Sequence, residues 1–206
     1  MRKILLLAAA FTTLAVVGTA GAVKPAAVSI SLSRSTVVYG GDVKLSGVVS
    51  THLEGAQVRV LERAYGAPSF SQIASVNTTT DGAWSYTASP VILTRYRAQF
   101  ADATSRIVTV KVRPKIVLEL KSRTARRGTF MVTVTGRRPF TGNYVLVQRL
   151  TASGPTTLKH VKLGAGSSAT FTIRLPKHHA RIRVVMPTSQ AAPGYIAGSS
   201  NVWSSS

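Results

Sequence analysis

A strand–loop–strand pattern that occurs twice constrains the fold of this chain more than any other feature. The first copy covers residues 39–63, where alternating valine and leucine between Gly41 and Gly47 precede a polar loop and a second alternating run. The second copy covers residues 127–149 and keeps the same order of strand, glycine-containing loop and strand. Because self-similarity along a chain marks repeated structural units, the pattern predicts two similar units in tandem.

Apolar and polar residues alternate through both units. Residues 95–100 place Tyr96, Ala98 and Phe100 on one side, and residues 181–186 copy that arrangement. Period-two alternation predicts strands with one buried face, and about seven such strands fit into each unit, as in a small sandwich. The sequence therefore predicts an all-β fold of two tandem immunoglobulin-like β-sandwich domains. A proline interrupts the ladder at Pro114, so we expect domains at residues 23–114 and 115–206.

Three local expectations accompany this interpretation. Asp81-Gly82 lies between two alternating runs and predicts a β-hairpin, since glycine accepts a positive φ without steric cost. Leu120 continues the alternation of Ile116 and Leu118, so its side chain is expected to face inward. Residues 187–199 form a long polar loop, which is either a functional site or a tolerated insertion.

The beginning of the chain follows the pattern of a secretory signal. Arg2 and Lys3 precede an apolar run and then small residues that end at Ala22, which predicts a signal peptide over residues 1–22. The apolar run is shorter than the roughly 20 residues of a membrane-spanning helix, so we expect a secreted protein without a transmembrane anchor. Cysteine is absent, which excludes disulfides and thiolate chemistry and, in a secreted chain, is more typical of bacterial than of animal proteins.

Charge is distributed unequally between the two units. The chain carries 26 basic and 6 acidic residues, a net charge of +20. Residues 23–114 contain ten basic and five acidic side chains, whereas residues 115–206 contain fourteen basic side chains and the single acid Glu119. The basic character is therefore predicted to belong mainly to the second unit.

The residues needed for catalysis or metal binding are scarce. No Gly-x-Ser-x-Gly elbow occurs, and the few carboxylates do not pair in the sequence as glycosidase chemistry requires. His178 and His179 are adjacent, and neighbouring residues on a strand point to opposite faces, so we interpret them as part of a polar turn. The sequence predicts a non-enzymatic protein with no catalytic residues, no metal site and no cofactor.

Several motifs resemble a known family. Gly41-x-Val-x-Leu-x-Gly47, Thr80-Asp-Gly-x-Trp84 and Tyr96-x-Ala-x-Phe100 are similar to bacterial, actinobacterial-type immunoglobulin-like and fibronectin-III-like modules, which occur in tandem in secreted proteins. The resemblance implies a β-sandwich and a role as a spacer, an adhesion unit or a wall-contacting accessory. The family has no shared site, so no catalytic or ligand-binding residue carries over.

The basic residues of the second unit carry the functional prediction. If its turns converge at one end, they form a positive surface suited to phosphate or carboxylate polyanions. The predicted partner is an anionic cell-wall polymer or another extracellular polyanion, at an extracellular or wall-associated location. The candidate residues are Arg123, Arg126, Arg127, Arg137, Arg138, Lys159, Lys162, Lys177, Arg181 and Arg183.

The same charges are also compatible with roles that need no polyanion. Diffuse positive charge keeps a protein soluble, and basic side chains protect the edge strands of a sandwich from pairing with other chains. In that case the chain is a protein-binding adhesin or a structural spacer with incidental charge. Nucleic-acid binding is a third hypothesis, but the arginines lack the interleaved aromatic residues of single-strand binders.

Overall fold

The alternating pattern forms strands along almost the whole described chain, residues 26–176 and 179–205 of the computed structural model. The predicted signal peptide at residues 1–22 lies outside the described residues, as do Lys177 and His178. Within the described ranges, no helix is long and apolar enough to span a membrane.

The first part of the chain forms β1 (Ser31–Leu32), β2 (Thr36–Val38), β3 (Val43–Val48), β4 (Gln57–Ala64), β5 (Ser71–Asn77), β6 (Ala83–Ala88), β7 (Thr94–Phe100), β8 (Ala103–Thr104) and β9 (Val108–Arg113). The second part forms β10 (Lys115–Arg123), β11 (Arg127–Thr135), β12 (Tyr144–Thr151), β13 (Gly154–Lys162), β14 (Ser168–Arg174), β15 (Arg181–Met186), α1 (Thr188–Ala191), β16 (Gly198–Ser199) and β17 (Trp203–Ser204). Single-turn 3₁₀ helices lie at Thr80–Gly82 and Ala165–Ser167.

Two sheets build the first immunoglobulin-like sandwich. One has the order β1-β3-β6, and the other has the order β2-β9-β7-β4-β5 with β8 attached to β7. Strand β2 runs parallel to β9, and the other pairs are antiparallel. The predicted inward residues Leu45, Val60 and Tyr96 are fully buried between the sheets, so the alternation identified the core correctly.

The second sandwich repeats this plan. Its sheets have the orders β10-β11-β14 and β13-β12-β15-β16, with β17 also paired to β15. Phe130, Val147 and Ile182 are buried in its core. Strand β13 was not predicted, because it is an edge strand whose residues are almost all exposed and show little alternation.

The predicted hairpin at Asp81-Gly82 is wrong. Both residues have positive φ, 59° and 70°, and reverse the chain sharply. However, β5 pairs with β4 while β6 pairs with β3, so the turn joins the two sheets of the sandwich. The dipeptide determines a local reversal, whereas the partner of each strand depends on residues far away in the sequence.

Leu120 faces inward as predicted but is incompletely covered. It lies directly opposite the buried Phe130 on β11, so its side chain is on the same face of the sheet as Ile116 and Leu118. It is nevertheless 36% exposed, whereas Ile116 and Leu118 are buried. The pairing of β10 with β11 shifts register only after Leu120, and the bulge there interrupts the alternation for the residues that follow.

Residues 187–199 connect the two sandwiches. The N–H of Leu93 donates to the carbonyl of Gly194 at 2.9 Å, and the N–H of Ile196 donates to the carbonyl of Val112 at 3.0 Å. A side chain at Gly194 would have no room, because a Cβ there would lie 2.6 Å from Ile92 Cδ1. The segment is therefore a packed connection between domains and not a free loop.

Tyr195 is the centre of this connection. Its hydroxyl donates to the carbonyl of Val91 at 2.6 Å and accepts the N–H of Arg137 at 2.7 Å. Its ring meets Phe140 edge to face, with the ring centroids 5.5 Å apart. Burial raises the pKa of the phenol. One side chain thus joins both sandwiches through two hydrogen bonds and an aromatic contact.

Candidate functional site

The predicted basic residues lie at opposite ends of the second sandwich. Arg126 and Arg127 are at the start of β11, and Arg137 and Arg138 follow its end. A strand rises by about 3.3 Å per residue, so roughly 30 Å separates the two pairs. We call the first location the distal end, and we call the second, next to residues 187–199, the junction end.

Four arginines form what we call the distal arginine surface: Arg123, Arg126, Arg127 and Arg174. Arg127 and Arg174 are cross-strand partners, and both are exposed. The N–H of Leu175 donates to the carbonyl of Arg126 at 2.9 Å and holds that residue against the same strand end. Three of the four arginines line an open cleft of about 430 Å³.

Arg123 reaches the distal end from β10 but lies on the face of the sheet opposite to Arg127 and Arg174, because it pairs with the inward-facing Gly128. Its guanidinium carbon lies 5.8 Å from the centre of the Trp203 ring. Trp203 is half-buried and packs edge to face against Phe130, with a centroid separation of 5.0 Å. The tryptophan therefore belongs partly to the core and partly to the wall that supports Arg123.

The electrostatics of the distal end favour an anion. Like charges directly opposite each other on neighbouring strands repel, and Arg127 and Arg174 are such a pair. The single acid of the second domain, Glu119, is paired with Lys121 at 2.7 Å and does not line the cleft. A bound phosphate or carboxylate would convert the local repulsion into attraction.

Arg181 also lies at the distal end, because β15 begins there. It lines a second depression of about 520 Å³ together with Arg149 and His179. No acidic residue lines this depression. The predicted candidate Lys177 falls in the neighbouring gap outside the described residues.

The junction-end arginines are engaged within the protein. Arg138 Nη2 donates to the carbonyls of Ala191 and Ala192 at 2.7 and 2.8 Å, and its guanidinium lies over Phe140 at 4.7 Å. Arg137 is exposed, and its backbone is held by Tyr195. Arg138 therefore stabilises the connection between domains, and the predicted candidates do not converge on one surface.

The remaining candidates lie elsewhere. Lys159 and Lys162 are exposed on the edge strand β13, where lysine discourages pairing with other chains. Arg183 is partly buried in the middle of β15, and its Nε donates to Gln148 Oε1 at 3.0 Å. These three residues do not contribute to the distal arginine surface.

Sequence reasoning missed Arg174 as a site residue. It occupies the polar phase of the alternating run that includes Phe171 and Ile173. Its position beside Arg127 follows from the pairing of β14 with β11, which the sequence does not specify. The signal that could have identified it was an arginine in an outward-facing position at the end of a predicted strand.

The described part of the chain contains no cluster of metal-binding side chains. Within residues 26–176 and 179–205, no three histidine, aspartate or glutamate side chains come together as a possible metal site. The arrangement at the distal end supplies hydrogen-bond donors and positive charge. It suits binding of an anion rather than acid–base chemistry.

Comparison with known proteins gives a structural likeness and no family. No protein-family model matches the chain, and no curated protein matches its sequence. A crystal structure of a tetra-tandem repeat in the extending region of a large adhesion protein aligns with 87% of this chain and 49% of that chain, at 15% identity and a TM-score of 0.36. The present chain thus spans about half the length of that repeat array, and a likeness at this level assigns no function.

Proposed function

We propose that this is a non-enzymatic, secreted bacterial protein that associates with an anionic polymer of the cell envelope through the distal arginine surface. The observation that carries the proposal is the cross-strand pair Arg127 and Arg174, with Arg126 beside them in a cleft that no acid lines. The signal predicted at residues 1–22 supports export, and the basic second domain would face the polymer.

Arginine suits this role for geometric reasons. Its planar guanidinium presents several donors that match the oxygen pairs of phosphates and carboxylates. Exposed charges are screened over about 8 Å at physiological ionic strength, so several adjacent arginines are needed for useful affinity. A polymer meets this condition, because successive anionic groups can pair with successive arginines.

Salt-dependent elution from a phosphocellulose resin tests the proposal. The distal variant replaces Arg123, Arg126, Arg127 and Arg174 with glutamine. The matched control replaces the exposed residues Lys44, Lys111, Lys159 and Lys162 with glutamine, which removes the same charge from other surfaces. We expect the distal variant to elute at clearly lower salt than the wild-type protein, and the control to elute close to it.

Two outcomes would contradict the proposal. An equal shift for both variants would mean that net charge alone causes retention. Retention of the wild-type protein that persists unchanged at about 1 M salt, where the screening length is near 3 Å, would exclude an electrostatic mechanism.

A second candidate function is a structural spacer or protein-binding adhesin whose charge is incidental. The hydrogen bonds of Tyr195 to both sandwiches favour it, since a spacer needs a fixed separation between its ends. Small-angle scattering of the wild-type protein and of Tyr195→Ala tests the fixed separation. A wild-type particle as variable in length as the mutant would argue against the spacer.

A further inference from the structure

A turn of the first sandwich separates two shallow clefts, one lined by the first sandwich alone and the other by residues of both domains. Tyr65, Gly66 and Ala67 follow β4 and line both clefts. The backbone of the turn is fixed, because the N–H of Tyr65 donates to the carbonyl of Leu93 at 2.8 Å. The Tyr65 side chain is 51% exposed, and its ring lies beside Gly194 of the connecting segment, so about half of its surface is free to meet a ligand.

Arginines from both domains surround this tyrosine. Arg63 and Arg95 line the first cleft, of about 230 Å³, and are directly opposed on β4 and β7. Arg137 of the second sandwich lines the other cleft, of about 440 Å³. Arg138 lines it too, but its guanidinium is bonded to backbone carbonyls of residues 191 and 192.

The guanidinium groups at this location keep their hydrogen-bond donors available. Arg63 lies over the Phe70 ring at 5.0 Å, which orients the group without using its N–H donors. The backbone of Arg137 is fixed by the hydroxyl of Tyr195. None of the side chains of Arg63, Arg95 and Arg137 makes a hydrogen bond or ion pair with another residue in the described ranges.

We infer that this junction surface, defined as Arg63, Tyr65, Arg95 and Arg137, binds an acidic oligosaccharide. The arginines pair with carboxylates of successive sugar residues, and the ring of Tyr65 packs against the apolar face of a sugar between them. Sites at domain interfaces that combine an apolar surface with a few convergent polar groups are the usual places for small ligands.

The exposed aromatic ring selects this class of ligand. A bare polyphosphate chain would gain from the arginines but has no flat apolar face to place on Tyr65. A neutral saccharide would use the tyrosine but leave the opposed Arg63 and Arg95 uncompensated. A carboxylated sugar chain satisfies both features of the surface. The inference concerns a different surface from the distal arginines and does not depend on them.

Isothermal titration calorimetry with a short oligogalacturonate, at an ionic strength of about 0.1 M, tests the inference. We expect Tyr65→Ala to weaken binding by at least about tenfold, and Tyr65→Trp to retain it, since an indole also offers a flat face. The double variant Arg95→Gln, Arg137→Gln is expected to weaken binding by a similar factor, although its residues belong to different domains.

The matched control is the double variant Lys159→Gln, Lys162→Gln, which removes equal charge from the exposed edge strand β13, away from both arginine surfaces. Binding that stays within about twofold of wild type supports the inference, and an equal loss in the control overturns it. The inference is also overturned if the wild-type protein does not bind the oligogalacturonate, or if Tyr65→Ala binds as tightly as wild type. Linear polyphosphate that binds as well and competes at this surface would show a general anion site instead. None of these results bears on elution of the distal variant from phosphocellulose.

Discussion

The two ends of β11 carry the same dipeptide in different roles. Arg126-Arg127 at the distal end is exposed to solvent, and Arg127 lies directly opposite Arg174 on the neighbouring strand. At the junction end, Arg138 donates to two backbone carbonyls, and the backbone of Arg137 is bound by Tyr195. An arginine pair therefore has no role of its own, because its role depends on what packs against it.

Residues 187–199 cause the difference. They cover the junction end with α1 and Tyr195, and the carbonyl groups of residues 191 and 192 at the end of α1 accept hydrogen bonds from Arg138. The distal end has no such cover among the described residues, so its charges remain hydrated and repel each other. Four predictions test this contrast, in order of decreasing effect.

Tyr195→Ala should destabilise the protein most. The side chain is 3% exposed and makes two hydrogen bonds, and truncation of a large buried aromatic residue costs about 3–5 kcal/mol. Urea unfolding measures the loss. Tyr65→Ala is the matched control, and truncation of its half-exposed side chain should cost about 1 kcal/mol, clearly less than Tyr195→Ala. Equal effects would refute the central role of Tyr195.

Arg138→Gln should cost about 1–3 kcal/mol of unfolding free energy, because the carbonyls of Ala191 and Ala192 lose a charged donor. Arg126→Gln removes the same charge at the distal end and should change stability by no more than about 0.5 kcal/mol. The comparison uses urea unfolding under identical salt. A cost for Arg126→Gln as large as that for Arg138→Gln would break the contrast between the ends.

Alkaline pH should weaken the junction end selectively. Burial raises the pKa of Tyr195 above the value of about 10 that it has in the unfolded chain. As the pH rises, the tyrosine therefore loses its proton in the unfolded state before it does so in the folded state. The contribution of protonated Tyr195 to the free energy of unfolding is complete below about pH 10. Above that pH it declines by at most about 1.4 kcal/mol per pH unit.

Urea unfolding across this pH range checks the expectation, with Tyr195→Phe as the control. The variant should show a shallower decline than the wild-type protein. Some decline should remain, because burial and the nearby Glu62 carboxylate also raise the pKa of Tyr96. Identical pH profiles would mean that burial at the junction does not raise the pKa of the Tyr195 hydroxyl.

Arg127→Gln should have the smallest effect and the opposite sign. It removes one member of the like-charged pair with Arg174, which should stabilise the protein by about 0.2–1 kcal/mol at low salt. Added salt should reduce the difference, because it screens the repulsion in the wild-type protein. Thermal unfolding at two salt concentrations measures it, and a loss of stability would show that Arg127 already has a compensating partner.

Local patterns predicted much of the architecture. The alternation around Tyr96 and Ala98 placed these residues correctly in the core, and the repeat indicated two sandwiches. The errors occurred where distant contacts decide the outcome. Asp81-Gly82 predicted a hairpin because a turn signal does not reveal the partners of its strands. Leu120 has the predicted inward phase, but its 36% exposure depends on how far the rest of the domain covers the edge strand β10.

The candidate site was predicted less completely. The excess of basic residues after Pro114 was evident from composition. That these residues are divided between the two ends of the second sandwich could be known only from the length and direction of β11. Arg174 was missed because its pairing with Arg127 joins residues that are 47 positions apart in the sequence. Arg63 and Arg95 were not among the predicted site residues, because the clefts that they and Arg137 line beside Tyr65 depend on the packing of both domains.

The sequence by itself determined the period of the strands, the phase of their buried faces and the excess of positive charge, since these properties depend on neighbouring residues. Tertiary structure alone decided which end of the second sandwich is covered and which arginines remain available. Those outcomes depend on contacts such as that between Tyr195 and Val91, whose residues are distant along the chain. No local pattern contains that information.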